Sequence, residues 1–169
     1  MPEKRTIERA KKDKRKGKSA STQAGEFVHE EIEHIREGKH GARSAKQAIA
    51  IGLSKARRAG VDLPPPEKGK ASAETRRKAK KDVEAGAKKS TARKSTKRAT
   101  ATKKALKKEP RAAASKTALS RQATKAAKKR TAADRSAAAK KAARTKGPAE
   151  RSAAARKAAH TREVHAHAH

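Results

Sequence analysis

The residues of this 169-residue chain that could do chemistry are overwhelmingly its cations. Lys and Arg number 49 against 17 Asp and Glu, a formal net charge of +32. The chemistry open to such a set is phosphate neutralisation. Each cation that reaches a phosphate releases condensed counterions, which drives binding without reading sequence. Lys outnumbers Arg, 30 to 19, and Lys is a point charge without the bidentate geometry that reads guanine. Phe27 is the only aromatic residue, so unpaired bases have almost nothing to stack on. These features favour duplex DNA bound without sequence preference, with RNA not excluded. The cations expected at phosphates begin with Lys39, Arg43, Lys46, Arg57 and Arg58. Arg76, Arg77, Lys78, Lys80 and Lys81 follow. The next set is Arg93, Lys94, Lys97, Arg98, Lys103, Lys104, Lys107 and Lys108, and the last is Lys128, Lys129, Arg130, Lys140, Lys141, Arg156 and Lys157.

Other chemistry is harder to place. The loop Gly38-Lys39-His40-Gly41-Ala42-Arg43-Ser44 leads into a helix N-terminus. It reads first as an ordinary interhelical loop with a good cap. The alternative is one phosphate held by free N–H groups with Lys39, Arg43 and Lys46. The GxxxxGK[ST] spacing of a nucleotide-binding loop is absent. His165, His167 and His169 alternate at the C-terminus. Imidazoles bind zinc or nickel, but an end without supporting partners is a weak site, and no metal or cofactor is expected. No nucleophile, base and orienting group can be grouped, so no enzyme is expected. Absence of Cys excludes disulfides and Cys-ligated zinc.

The elements that must position these cations are few. Only 15 residues are Val, Ile, Leu, Met or Phe, and nine of them fall within residues 27–63. That is too little bulk for a packed domain spanning the chain, and low apolar content with extreme charge is the signature of disorder. Four parts are expected: a basic disordered arm at 1–20, a helical hairpin at 21–63, a Pro-rich linker at 64–70, and a Lys/Ala-rich tail at 71–169. The fold class is therefore a small all-α module followed by a long disordered or nascent-helical, low-complexity basic tail.

In the hairpin, Thr22 or Ser21 caps a first helix with Val28, Ile32 and Ile35 on one face. Glu26, Glu30, Glu33 and Glu37 fall opposite, either as a solvated face or folded back onto the basic tail. Gly38 stops this helix. Ser44 and Gln47 form a capping box for the second, which Gly60 ends. Ile49-Ala-Ile51-Gly-Leu53 also alternates with period two, a strand signal; the Ala content, cap and stop favour helix. Ser72 caps a short helix reaching Val83. RSAAAKKAART at 135–145 returns as RSAAARKAAHT at 151–161. Ala and Lys favour helix here, but like charges at i and i+4 oppose it, so a nascent helix that firms up when phosphates neutralise the lysines is expected.

The stretch GEFVHEEIEHIREGKHGARSAKQAIAIGLSKARRAG at 25–60 resembles a family of small bacterial proteins of unknown function. The resemblance implies a bacterial source and brings no activity. The tail is similar in composition to the C-terminal tails of linker histones and bacterial histone-like proteins, and TARKST at 91–96 matches a core-histone tail string by coincidence. The expected function is non-enzymatic, histone-like DNA binding in the cytoplasm at the nucleoid. The alternatives are an RNA- or ribosome-associated protein, or an adaptor whose 21–63 module binds a protein or a second copy. No stretch is apolar enough to insert in a membrane.

Overall fold

The computed structural model describes residues 2–88 and 95–166. Two compact units divide the chain, 1–122 and 123–169.

The first unit is built on two antiparallel-reading helices, α2 (Ala20–Arg36) and α3 (Ala45–Arg58). The cap of α2 is Ser19, two residues before Ser21 and three before Thr22; its Oγ accepts from the Thr22 amide at 3.4 Å. Ser44 Oγ accepts from the Gln47 amide at 3.2 Å, and Gln47 Oε1 accepts in turn from the Arg43 amide at 2.8 Å. Gly38 and Gly60 both take positive φ, +79° and +87°. Past Gly60 the Val61 amide donates back to the Ala56 carbonyl at 3.1 Å, closing the helix end. The alternating run at 49–53 is helical. Gly52 explains part of this: a Cβ there would stand 2.6 Å from Val28 Cα, so α2 and α3 touch backbone to backbone.

The expected disordered arm is a helix, α1 (Lys4–Arg15), packed along α2. Ile7 and Ala10 reach a core of Ala24, Phe27, Ala56 and Val61, edged by Leu53 and Leu63. Acidic residues of α2 strengthen the docking: Arg9 pairs with Glu26 at 2.9 Å, and the Glu3 amide donates to Glu30 Oε2 at 3.0 Å. Of the acidic side of α2, Glu26 and Glu30 thus meet the arm, while Glu33 and Glu37 stay open to solvent beside His29 and Lys39.

Beyond the linker, α4 (Ala73–Ala87) packs on α3. Asp82, buried, accepts from Ser54 Oγ at 2.6 Å and pairs with Arg58. Farther on, α5 (Thr96–Lys107) leads into a strap that closes on the module. The Gly41 amide donates to Leu106 O at 2.8 Å, and the Ala42 amide to Pro110 O at 3.1 Å. A 3-10 helix, Arg111–Ala114, then buries Ala113 and Ala114 with Ile35, Ala42 and Ala48. Arg36 Nε donates to Ala114 O at 3.0 Å. Gly41 makes this approach possible, since a Cβ there would lie 1.8 Å from the Glu109 carbonyl oxygen.

The long disordered or nascent-helical tail is overturned. The described chain is helical through α4, α5, α6 (Lys116–Lys128) and α7 (Ala132–Ala166). The reason lies in Ser and Thr residues that look like filler. Ser72, Ser95, Ser115 and Thr131 each accept from the amide three residues on, at 3.1–3.4 Å. Asp134 returns the favour to the Thr131 amide at 3.2 Å, a full capping box. In the second unit, α7 is broken at Gly147, whose φ of 66° and ψ of 171° precede Pro148. One copy of the 11-residue repeat lies before this break and the other after it. Each copy is therefore the body of one helical segment, the first started by the Thr131 cap and the second by Pro at its first turn.

Candidate nucleic-acid interface

Acidic residues of the first unit are largely consumed internally, and this decides which cations remain open. Lys55 Nζ lies 3.4 Å from Glu30 and 2.6 Å from Glu31, both carboxylates buried. Asp13 holds Lys18 at 2.8 Å. Glu3 contacts His34 Nε2 at 2.8 Å and Lys39 at 3.4 Å. The His34 hydrogen bond, followed by Lys39, holds the Glu3 carboxyl below the ordinary range. Glu37 at 2.9 Å, with Glu3 behind it, raises the Lys39 ammonium.

The cations expected at phosphates therefore divide. Lys39 is paired with two carboxylates, and Arg43 stands 3.6 Å from Glu109 although its side chain is exposed. Lys46 is exposed. The loop between α2 and α3 has its amides occupied: Gly41, Ala42 and Arg43 all donate within the chain, so no ring of free N–H groups faces a phosphate. Arg57 is buried. Its Nε donates to Leu63 O at 3.1 Å and Nη2 to Pro64 O at 3.3 Å, which ties the Pro-rich segment to α3. Desolvation pushes its guanidinium pKa down, against the pull of Asp82. Arg58 is held by Asp82.

On α4, Arg77, Lys80 and Lys81 are exposed, Lys78 pairs with Glu74 at 2.7 Å, and Arg76 is half-buried with its Nε unpartnered. Arg93 and Lys94 lie outside the described residues. From residue 95 on, Lys97, Arg98, Lys103, Lys104, Lys107 and Lys108 are exposed along α5 and its end. Lys128, Lys129 and Arg130 are exposed at the end of α6, and Lys140, Lys141, Arg156 and Lys157 along α7. Residues 95–166 carry 22 Lys and Arg against four acidic residues. Among the described residues of α5, α6 and α7, none is buried. Cations are spread around α7, while α6 gathers Ala118, Leu119, Ala123 and Ala126 on one side, with Ala118 and Leu119 partly covered. Phe27, at 1% exposure, is sealed in the core and offers no stacking surface.

A second constellation escaped the sequence. Glu31, His34 and His40 each bring a ligand-type atom within 4.8 Å of the other two. The signal was present as Glu31-x-x-His34, one face of a helix at i, i+3, with His40 returned to it by the Gly38 turn. The eye is drawn instead to the C-terminal histidines, of which His167 and His169 lie outside the described residues.

Residues 3–68 match the model of a family described as "Family of unknown function (DUF6496)". That span takes in α1, α2, α3 and the Pro-rich segment, and the cationic helices after it lie outside the match. No curated protein and no solved structure matches the chain. Among the described residues no helix is long and apolar enough to cross a membrane.

Proposed function

We propose that the chain is a non-enzymatic protein that binds duplex DNA without sequence preference, as a histone-like component of the nucleoid. The observation that carries this reading is the surface of α5, α6 and α7, rich in exposed Lys and Arg and without a buried residue among those described. A helix that cannot bury one side against its own protein either stays in water or meets a partner that wants charge. A polyanion is that partner, and in a cell rich in nucleic acid such a surface is rarely free of it.

The geometry suits a backbone reader. At 1.5 Å per residue, segment 148–166 extends roughly 28 Å. A duplex carries one charge per ~1.7 Å, so a segment of that length runs past on the order of 16 phosphates. Ala fills the positions between the cations, so little bulk keeps the backbone from the groove.

The test is titration of the full chain against two unrelated duplexes and one RNA hairpin across salt. Equal affinity for both duplexes is expected. If about ten phosphates are contacted, the log–log salt slope is near −9. Replacing Lys128, Lys129, Lys140, Arg156 and Lys157 together by Gln should make the slope shallower by about 0.9 for each phosphate contact removed. Tighter binding to the hairpin would make RNA the partner. Affinity unchanged in the substituted chain would move recognition to the first unit.

A further inference from the structure

Glu31 is fully buried at 0% exposure, yet neither carboxylate oxygen has a donor in hydrogen-bonding geometry. Two groups stand close to it. Lys55 Nζ is 2.6 Å from Oε2, close enough for an ion pair though poorly directed, and His40 Nε2 is 3.4 Å from Oε1. The His40 ring is oriented by Gly41, whose carbonyl oxygen lies 3.1 Å from Nδ1. A carbonyl only accepts, so Nδ1 carries the hydrogen, and a neutral ring then presents the Nε2 lone pair to a carboxylate oxygen. Something positive belongs between those two atoms: a proton or a cation.

We infer that Glu31, His34 and His40 form a structural zinc site. Two imidazoles and a carboxylate are a zinc donor set. In a tetrahedral site with bonds of about 2.0–2.1 Å, ligand atoms sit about 3.3 Å apart. The His40–Glu31 separation of 3.4 Å is already such an edge, and the His34 nitrogen falls inside the 4.8 Å group. The two rings meet edge to face, 81° apart, so they do not stack each other out of reach of one ion.

Outer partners are in place as well. Metal-bound His normally gives its second N–H to a carbonyl or carboxylate. Gly41 O serves His40, and Glu3 Oε1, 2.8 Å from His34 Nε2, serves His34 or joins as a fourth ligand. Lys55 on Oε2 leaves Oε1 to the ion. The site joins three pieces: the start of α1 through Glu3, the body of α2, and the loop that the strap at 106–110 holds. This inference is independent of DNA binding.

The test uses the full chain with His165, His167 and His169 replaced by Ala, which removes a rival ligand set. Zn2+ is titrated by calorimetry, and Co2+ by visible absorption. One equivalent of Zn2+, intense tetrahedral Co2+ bands and a raised unfolding temperature are expected. His34→Gln and His40→Gln should abolish the bands, and Glu3→Gln should weaken Zn2+ binding about 10–100-fold. Far-UV circular dichroism checks that both His variants keep the helical content. Absence of stoichiometric binding in the parent would overturn the inference, leaving a proton between His40 and Glu31. Binding that survives in both His variants would overturn it equally.

Discussion

Replacing Gly41 by Ala tests whether the strap at 106–114 is part of the folded unit. The new Cβ would lie 1.8 Å from Glu109 O, 2.4 Å from Glu109 C and 2.9 Å from Pro110 O, all backbone atoms. No side-chain rotation relieves that overlap, so the strap must move. Docking rests on the Gly41 and Ala42 amides, the Arg36 bond to Ala114 O, and the buried methyls of Ala113 and Ala114. Three hydrogen bonds at about 1 kcal/mol each and two methyls at about 0.8 kcal/mol give a gross figure near 5 kcal/mol. The strap regains backbone entropy when it undocks, so the net loss is smaller than this gross figure. The loss is also bounded, because the strap can undock while the three-helix core stays folded. We expect about 2–3 kcal/mol, a fall in Tm on the order of 5–10 °C. Amide exchange is the sharper assay: the Ala42 amide should lose protection while amides within α3 keep theirs. Gly25→Ala is the control with opposite sign. Gly25 sits in exposed helix with nothing within 4 Å of a Cβ, so Ala should stabilise by about 0.5–1 kcal/mol. Retained protection at Ala42, with Tm within about 1 °C of the parent, would refute the docked strap.

Lys55→Met removes the cation shared by Glu30 and Glu31, leaving two buried carboxylates without it. Breaking a buried pair costs about 3–5 kcal/mol, so chemical denaturation should show a loss of that order. Ser115→Ala and Thr131→Ala each remove a helix cap in the cationic segment; circular dichroism should show less helix, in keeping with about 1 kcal/mol per cap. Lys78→Gln tests the exposed pair on α4. The Lys78 hydrogen bond holds the Glu74 carboxyl below its ordinary value of 4.5, so its contribution is present above that value and lost as pH falls through the lowered one. The Glu74 carboxyl titration, followed by NMR, should move up in pH in the variant; an unmoved midpoint would dismiss the pair.

Local punctuation made much of the hairpin legible. Ser44, Gln47 and Gly60 act through the backbone within a few residues of themselves, and such signals survive in one sequence. What was hidden depended on distance. Ile7 looks like a stray apolar residue in a basic arm, until α1 places it against Phe27 and Ala10 beside it. Glu30 and Glu31 look solvated because charge ordinarily means exposure. In the fold Lys55 and the Glu3 amide come from 25 and 27 residues away in the chain to meet Glu30, and Lys55 reaches Glu31 as well. Arg57 reads as a phosphate ligand and instead binds the carbonyls of Leu63 and Pro64. The close passages at Gly41 and Gly52 carry no signature beyond the glycine itself.

The error over the tail was one of magnitude, and its correction changes how the proposed DNA binding would work. Lys103 and Lys107, Lys104 and Lys108, and Arg121, Lys125 and Lys129 stand at i, i+4 within helices or at their ends. Each like-charge pair costs only about 0.2–0.5 kcal/mol. A Ser or Thr cap contributes about 0.5–2 kcal/mol, and Ala is the best helix former. Caps and Ala therefore outweigh repulsion before any phosphate arrives. On the proposed reading, the duplex meets helices that are already formed. The ordering entropy that a disordered tail would lose at that moment is not charged to binding, which favours affinity at equal contact number. Neutralisation of the lysine ladders by phosphate then acts in the same direction as the caps, so the bound helices are firmer than the free ones.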